Sequence, residues 1–249
     1  MDFSNEILAL LFLVGLVAGT IDTIAGGGGL ITIPVLLWTG MPPAAALATN
    51  KLQSVFGTFT ASVYFIRKKM VDLKAIKWML FSAFIGSVLG GFALLQIDPN
   101  ILRKVIPFLL VLIGIYFLLS KDAGATEKHK LISTTLFSTT IIVTLGFYDG
   151  FFGPGTGSFF TIAFIYFLGY NISNATAHTK VLNFATNAGS VIFFMIMGKI
   201  YILVGLIMGA GQIIGAIIGA KLVILKGQKL IRPLIVVISF AMSIKLFIG

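Results

Sequence analysis

The sequence predicts an all-α polytopic membrane protein. Of its 249 residues, 58% are hydrophobic and only 10% are charged, whereas soluble globular proteins are about 45–50% apolar and about 25% charged. The apolar residues are gathered into successive runs, and about 20 apolar residues cross roughly 30 Å of hydrocarbon as a helix. These observations exclude a cytosolic or secreted soluble fold.

The net charge of +10 would suggest a nucleic-acid partner in a soluble chain. Here the basic residues are concentrated in three connections, at 67–77, 120–130 and 221–232. This is the positive-inside distribution of membrane proteins. We therefore expect a lipid bilayer as the surroundings, cytoplasmic connections at these three places, and no nucleic-acid partner. The oligomeric state cannot be read from the sequence.

Glycine, proline and charged residues divide the apolar sequence into ten helical segments. They are expected at about 6–24, 29–39, 43–66, 75–95, 101–119, 131–152, 157–169, 173–197, 201–223 and 229–247. The predicted organisation is a first transmembrane repeat at 1–119, a cytoplasmic linker at 120–130 and a second transmembrane repeat at 131–249. Together the repeats form one transmembrane domain.

The repeat prediction comes from shifting the chain by 129 residues without a gap. Lys51 then falls on Lys180 and Arg103 on Arg232, a notable agreement in a chain with few charges. The connection at 67–77 is strongly basic, whereas its counterpart at 198–206 holds one lysine. This charge difference predicts two inverted-topology repeats of about five helical segments each, an arrangement typical of transporters.

A glycine-rich interruption follows an aspartate in each half. The first runs from Asp22 through four glycines to Leu30, and the second from Asp149 to Gly157. Glycine costs about 1 kcal/mol in a helix interior, and non-helical backbone is tolerated in a membrane only where protein or a watery cavity surrounds it. We expect broken or re-entrant helices whose free amides favour anions. Close helix packing through glycine is the alternative, and it is the expected role of Gly86 with Gly90 and of Gly215 with Gly219.

Once the connections and the segment ends are set aside, four charged residues remain inside the apolar segments, namely Asp22, Lys51, Asp149 and Lys180, with Lys245 close to the C-terminus. Each costs about 2.5–3.5 kcal/mol on insertion scales, so each is a candidate functional residue. Each lysine stands about eight residues into its helix, roughly 12 Å from one membrane face. The candidate substrate-binding residues are Gly26, Gly27, Gly28, Gly29, Thr49, Asn50, Lys51, Gly155, Thr156, Gly157, Thr179, Lys180 and Asn183, and the candidate coupling or ion-pair residues are Asp22, Asp149 and His178.

Other roles remain open for these residues. The lysines could form purely structural ion pairs with the aspartates, and His178 could relay protons or simply hydrogen-bond within its helix. The sequence holds no cysteine and no recognisable catalytic dyad. We therefore expect no metal, no cofactor and no enzymatic activity.

Two longer stretches carry a family resemblance. These are GTIDTIAGGGGLITIP at 19–34 and GFYDGFFGPGTGSF at 146–159, each followed by a lysine element, ATNK at 48–51 and AHTKVLNF at 177–184. The combination resembles the TauE/SafE family of sulfite exporters. In this family pattern the glycine motif corresponds to 26–29 and 153–157, and the Asn-Lys element to Asn50 and Lys51. Thr179 replaces the asparagine in the second half.

The resemblance implies a multi-pass transporter in the inner membrane of a prokaryote. Its expected substrate is a small sulfur-containing anion, with sulfite or an organosulfonate exported by alternating access. An anion channel is one alternative. A transporter of a different small ion, with Asp22 and Asp149 as its ligands, is another.

Overall fold

The computed structural model describes residues 3–102, 104–106, 108, 112 and 129–226. Within these ranges the regular structure is entirely helical, as the composition predicts. Four described helices are long and apolar enough to cross a membrane, judged by length and composition: Asn5–Ala25, Leu73–Leu95, Ile172–Ile196 and Ile202–Leu225. The chain is therefore an all-α polytopic membrane protein.

The first half contains four described helices, α1 (Asn5–Ala25), α2 (Gly29–Trp38), α3 (Pro43–Arg67) and α4 (Leu73–Leu95). Ser4 caps α1 because its hydroxyl accepts a hydrogen bond from the N–H of Ile7 at 3.4 Å, and Asp72 caps α4 in the same manner. Helix α2 has only ten residues, about half of a membrane crossing. The first interruption therefore separates a full span from a short helix.

The second half repeats this order of long and short helices. Helix α5 combines Thr134–Leu136, the π-helical turn Phe137–Ile142 and Val143–Phe151, and it precedes α6 (Thr156–Leu168), α7 (Ile172–Ile196) and α8 (Ile202–Lys226). Helix α6 has 13 residues and is again too short for a full crossing. The expected boundaries of these eight helices agree with the observed ones to within three residues.

Some sequence predictions fall outside the described residues. Those described between 99 and 112 are helical, but most of the expected helix 101–119 and all of the helix 229–247 lie outside. Only His129 and Lys130 of the linker are described. The division into two repeats is accordingly still a prediction.

The helix starts agree with the 129-residue shift behind that prediction. Asn5 and Thr134, Pro43 and Ile172, and Leu73 and Ile202 are three pairs of helix starts, each 129 residues apart. The packing is also reciprocal, since α1 lies along α8 while α4 lies along α5. Helices α3 and α7 contact each other between these two pairs. These observations support a duplication, and its inverted orientation stays a prediction.

Glycines allow the paired helices to approach closely. A methyl group at Gly86 or Gly90 would overlap backbone atoms of α5, and one at Gly215 or Gly219 would overlap backbone atoms or a side chain of α1. The predicted contact role of these four glycines is confirmed. Small residues let helix backbones pack without intervening side chains. The pairs α1–α8 and α4–α5 are therefore closely packed, and α3 and α7 lie between them.

Candidate functional site

The two glycine-rich interruptions meet in space. Helix α1 ends at Gly26, whose φ of +72° lies in the left-handed region, and its N–H donates to the carbonyl of Asp22 at 2.6 Å. A methyl group on Gly26 would overlap the backbone of Gly157 in the second interruption. Ser158 also donates a hydrogen bond to the carbonyl of Ala25. The end of α1 and the start of α6 therefore form one contact.

The second interruption, which follows α5, also turns through glycines in the left-handed region. Gly153 and Gly155 have φ values of +95° and +80°, which glycine adopts without a Cβ penalty. The Tyr148 hydroxyl donates to the Pro154 carbonyl at 2.7 Å and fixes the turn. In each half a left-handed glycine stands four residues after the aspartate, Gly26 in the first half and Gly153 in the second.

Lys51 of α3 forms an ion pair with Asp149 of α5. Its Nζ donates to Oδ1 at 2.7 Å, and the two side chains are only 3% and 6% exposed. The second carboxylate oxygen, Oδ2, is buried and has no hydrogen-bond partner among the described residues. The Asp149 carboxylate is therefore held through one of its two oxygens.

Lys180 of α7 forms the other ion pair, with Asp22 of α1. Its Nζ donates to Oδ2 at 3.1 Å and also to the backbone carbonyl of Asp22. The remaining oxygen, Oδ1, accepts from the N–H of Gly28 at 3.3 Å. A cation at the carboxyl end of α1 also suits the helix dipole, so this pair fastens the broken helix at several points.

The ion pairs are exchanged between the two halves. Each lysine reaches the aspartate of the other half, over 98 residues for Lys51 and 158 residues for Lys180. The expected pairing of the lysines with the aspartates is therefore present. A buried pair loses several kcal/mol if one partner is removed, so the exchange makes each half depend on the other.

A polar cavity lies where the ion pairs and the interruptions converge. Its volume is about 20 Å³, room for about one water molecule, and it is lined by Asp22, Gly26, Gly29, Asn50, Lys51, Ser54, Asp149, Gly153, Thr156, Gly157, Asn183 and Asn187. The buried Asn183 Oδ1 is a second acceptor without a partner among the described residues. Two unsatisfied acceptors therefore border one small cavity.

Several predicted site residues lie outside this lining. Thr49 accepts a hydrogen bond from the N–H of Tyr201 at 3.0 Å, and Thr179 accepts one from Thr161 at 3.1 Å. Four further predicted residues do not line the cavity either: Gly27, Gly28, Gly155 and Lys180. These residues support the side chains and turns that do line the cavity.

His178 belongs to a different cavity of about 160 Å³, together with Lys130 and Tyr170. Its Nδ1 lies 2.8 Å from the carbonyl of Asn174. Tyr170 and Phe164 pack against its ring. The hydrogen bond within its helix agrees with the plainer of the two expected roles, and the proton relay stays a prediction.

Sequence reasoning missed a chain of buried hydrogen bonds behind Asn50. Thr32 and Gln53 both donate to its Oδ1, and Gln212 of α8 donates to Gln53 at 2.7 Å. At the corresponding position of the second half, the hydrogen bond found among the described residues is the one from Thr161 to Thr179. Thr32 and Thr161 are 129 residues apart, and that repeat spacing could have revealed them.

Comparison with known proteins adds to this geometry. The model of the family described as sulfite exporter TauE/SafE matches residues 11–246. The chain belongs to this family. Family membership confirms the resemblance drawn from the glycine and lysine elements.

Relatives of this family cover almost the whole chain. A probable membrane transporter protein of Haemophilus influenzae is 50% identical over 246 residues, covering 99% of this chain and 96% of the relative. The probable membrane transporter protein YfcA of Escherichia coli K12 is 45% identical over 243 residues, covering 98% and 90%. The protein is therefore a membrane transporter of a small-molecule substrate.

Proposed function

We propose that this protein is a secondary transporter of a small sulfur-containing anion, with sulfite or an organosulfonate as the substrate. It exports the anion by alternating access across the inner (plasma) membrane of a prokaryote. The reaction is transport without covalent chemistry. The family name supports the substrate class, and the buried lysines support the sign of its charge.

The observation that carries the proposal is the position of Lys51 at the polar cavity. Its ammonium group is almost fully buried, and a buried cation is retained at a cost that calls for a role. Asn50, Ser54 and Asn183 border the same cavity and supply hydrogen-bonding groups for oxyanion oxygens. Lys180 does not line the cavity, and it holds the end of α1 through the backbone carbonyl of Asp22.

The same residues argue against a cation as substrate. Asp22 and Asp149 each already neutralise a lysine at 3.1 Å and 2.7 Å. A transported cation would have to compete with an ammonium group that is fixed to the protein. The carboxylates therefore suit the role of internal counter-ions better than that of ligands for a transported cation.

Substrate entry requires the cavity to widen. A volume of about 20 Å³ holds one water molecule, whereas an oxyanion carries three or more heavy atoms. Rocking of one predicted repeat against the other would open the contact between the interruptions. The contact of Gly26 with Gly157 then marks the place where the two halves separate.

The first test is the thermal stability of purified protein with sulfite, sulfate, thiosulfate, methanesulfonate, phosphate and acetate. A ligand that binds only the folded protein stabilises it by about 2.7 kcal/mol at 100 times its Kd. We expect stabilisation by sulfite or a sulfonate. It should disappear in the Lys51→Ala and Lys180→Ala variants and persist in Lys199→Ala, which changes an exposed lysine between α7 and α8.

Transport in proteoliposomes provides the second readout. Uptake of the stabilising anion should saturate in wild type and in Lys199→Ala, and it should be lost in Lys51→Ala. If that substitution prevents folding, Lys51→Ala combined with Asp149→Asn removes both charges and serves instead. Transport with unchanged affinity in the folded double variant would contradict the proposal, and conductance far above carrier turnover would indicate a channel.

A further inference from the structure

We propose that Asp149 is an internal substitute for the substrate: the transported anion displaces its carboxylate from Lys51, and Asp149 takes up one proton in the same step. The inference rests on the proposed anion transport and assigns the ion that is coupled to it. It predicts that anion and proton bind together.

The contacts select Asp149 rather than Asp22. Asp22 is held through both carboxylate oxygens, by Lys180 and by the N–H of Gly28, and its backbone carbonyl binds the same lysine. Among the described residues, the Asp149 side chain has one hydrogen bond, from Lys51 to Oδ1. Displacement of Asp149 therefore breaks one bond, whereas displacement of Asp22 breaks several and releases the end of α1.

The charge balance calls for a proton. Two lysines and two aspartates make the buried site neutral in sum. A monoanion that replaced Asp149 at Lys51 would leave a carboxylate with no counter-ion, and burial of a lone charge is strongly unfavourable. One proton on Asp149 restores the neutral sum, so the anion and the proton favour each other's binding.

The surrounding helices offer few other charges to Asp149. Lys51 of α3 contacts it directly, Asp22 of α1 lines the same cavity, and Lys180 of α7 is paired to Asp22. Helices α2 and α6 contain no charged residue, and on α4 the described charged residues, Lys74 and Lys77, are exposed. Its own neighbour Tyr148 donates its hydroxyl proton to the Pro154 carbonyl. Asp149 is thus the acceptor best placed to gain the proton.

The unsatisfied oxygens provide a place for that proton. Asp149 Oδ2 and Asn183 Oδ1 are both buried acceptors without a partner among the described residues, and both residues line the small cavity. A protonated Oδ2 is a donor, and a donor is what these acceptors lack. A metal cation is less suited to the same position. The Lys51 ammonium group lies 2.7 Å from the carboxylate and would repel a cation bound there.

The test measures anion binding by purified full-length protein as a function of pH. Methanesulfonate is a suitable probe because its single negative charge does not change between about pH 5.5 and about pH 8.5, so any dependence belongs to the protein. Because Asp149 must be protonated for binding, we expect the Kd of wild type to rise by up to about tenfold for each unit by which the pH is raised. Titration in buffers of different ionisation enthalpy should show uptake of close to one proton per anion.

Two matched variants decide between the aspartates. Asp149→Asn imitates the protonated side chain, so its Kd should be independent of pH and at least about tenfold lower than that of wild type at the alkaline end. Asp22→Asn should keep the pH dependence. Proton uptake by wild type alone tests the inference if a variant does not fold.

The outcomes separate this inference from the proposed function. Anion binding that is independent of pH in wild type, that stays pH-dependent in Asp149→Asn, or that requires sodium instead of protons would overturn the proton inference and leave anion transport standing. Failure of both wild type and Asp149→Asn to bind any probe at any pH would overturn the proposed function and the inference together.

Discussion

The two interruptions are built alike but fastened differently. In the first, Lys180 holds Asp22 through its carboxylate and its backbone carbonyl, and Gly28 binds the remaining oxygen. In the second, Lys51 holds Asp149 through one oxygen and leaves the other unpaired. If Asp149 is displaced as we propose, the two ion pairs have different roles: the first holds the end of α1, and the second releases its partner to the anion.

The surroundings of the two lysines differ in the same direction. Beside Lys51 in sequence, Asn50 belongs to a hydrogen-bonded chain that runs from Thr32 through Asn50 and Gln53 to Gln212. Behind Lys180, the positions that correspond to Gln53 and Gln212 are Leu182 and Ala83. The lysine whose aspartate is held through a single oxygen therefore also has the more extensive neutral polar neighbourhood, which suits a group that exchanges counter-ions.

The largest effect is expected from removing one lysine. Lys51→Ala leaves Asp149 buried with no partner for either oxygen, and we expect a loss of about 3–5 kcal/mol in the free energy of unfolding. Lys180→Ala should cost less, because Asp22 keeps the Gly28 N–H and its side chain is 18% exposed. Thermal unfolding in one detergent measures both variants.

A second substitution checks the cause of that loss. Adding Asp149→Asn to Lys51→Ala removes the unpaired charge and should restore more than half of the lost stability. Equal losses for the two single lysine variants, or no recovery in the double variant, would contradict the different fastening of the two pairs.

Alanine at the left-handed glycines four residues after each aspartate, Gly26 and Gly153, should separate the interruptions again. Gly26→Ala meets both an unfavourable φ of +72° and the backbone of Gly157, so we expect a loss of about 2–4 kcal/mol. Gly153→Ala meets the end of the flexible Lys51 side chain at 2.9 Å. It should cost about 1–3 kcal/mol from its φ and weaken anion binding, whereas stability losses in the reverse order would contradict this comparison.

The hydrogen-bonded chain behind Asn50 can be tested by a double-mutant cycle. Gln212→Leu leaves the buried side chain of Gln53 without its partner on α8, and we expect a loss of about 1–3 kcal/mol. Gln53→Leu combined with Gln212→Leu removes both partners and should be less destabilising than the sum of the single changes. Additive losses would show that the hydrogen bond between the two glutamines contributes nothing to stability.

The sequence alone predicts the helices, the lysines and their pairing with the aspartates, but not which lysine meets which aspartate. Lys51 and Lys180 stand out because a charge in an apolar run is rare, and the helix boundaries follow from glycine and proline. The ion pairs join residues 98 and 158 positions apart, and no local pattern records such a distance. Gln212 and Thr32 were missed because an uncharged polar residue hardly changes the hydropathy of its helix.

The smallest difference between the halves concerns the equivalent threonines. Thr161→Val removes the bond to Thr179, and we expect a loss of about 1 kcal/mol because that hydroxyl loses its donor. Thr32→Val should cost about half as much, because Asn50 still accepts a hydrogen bond from Gln53 at 2.7 Å.

Thr139→Val, at an exposed position whose hydroxyl bonds only within its own helix, is the matched control for the change in side-chain chemistry. Thermal unfolding of the three variants in one detergent measures the difference. If Thr32→Val were the more damaging substitution, Asn50 would depend on Thr32 rather than on Gln53. The hydrogen bonds from Asn50 through Gln53 to Gln212 on α8 would then not be what holds Asn50 in place.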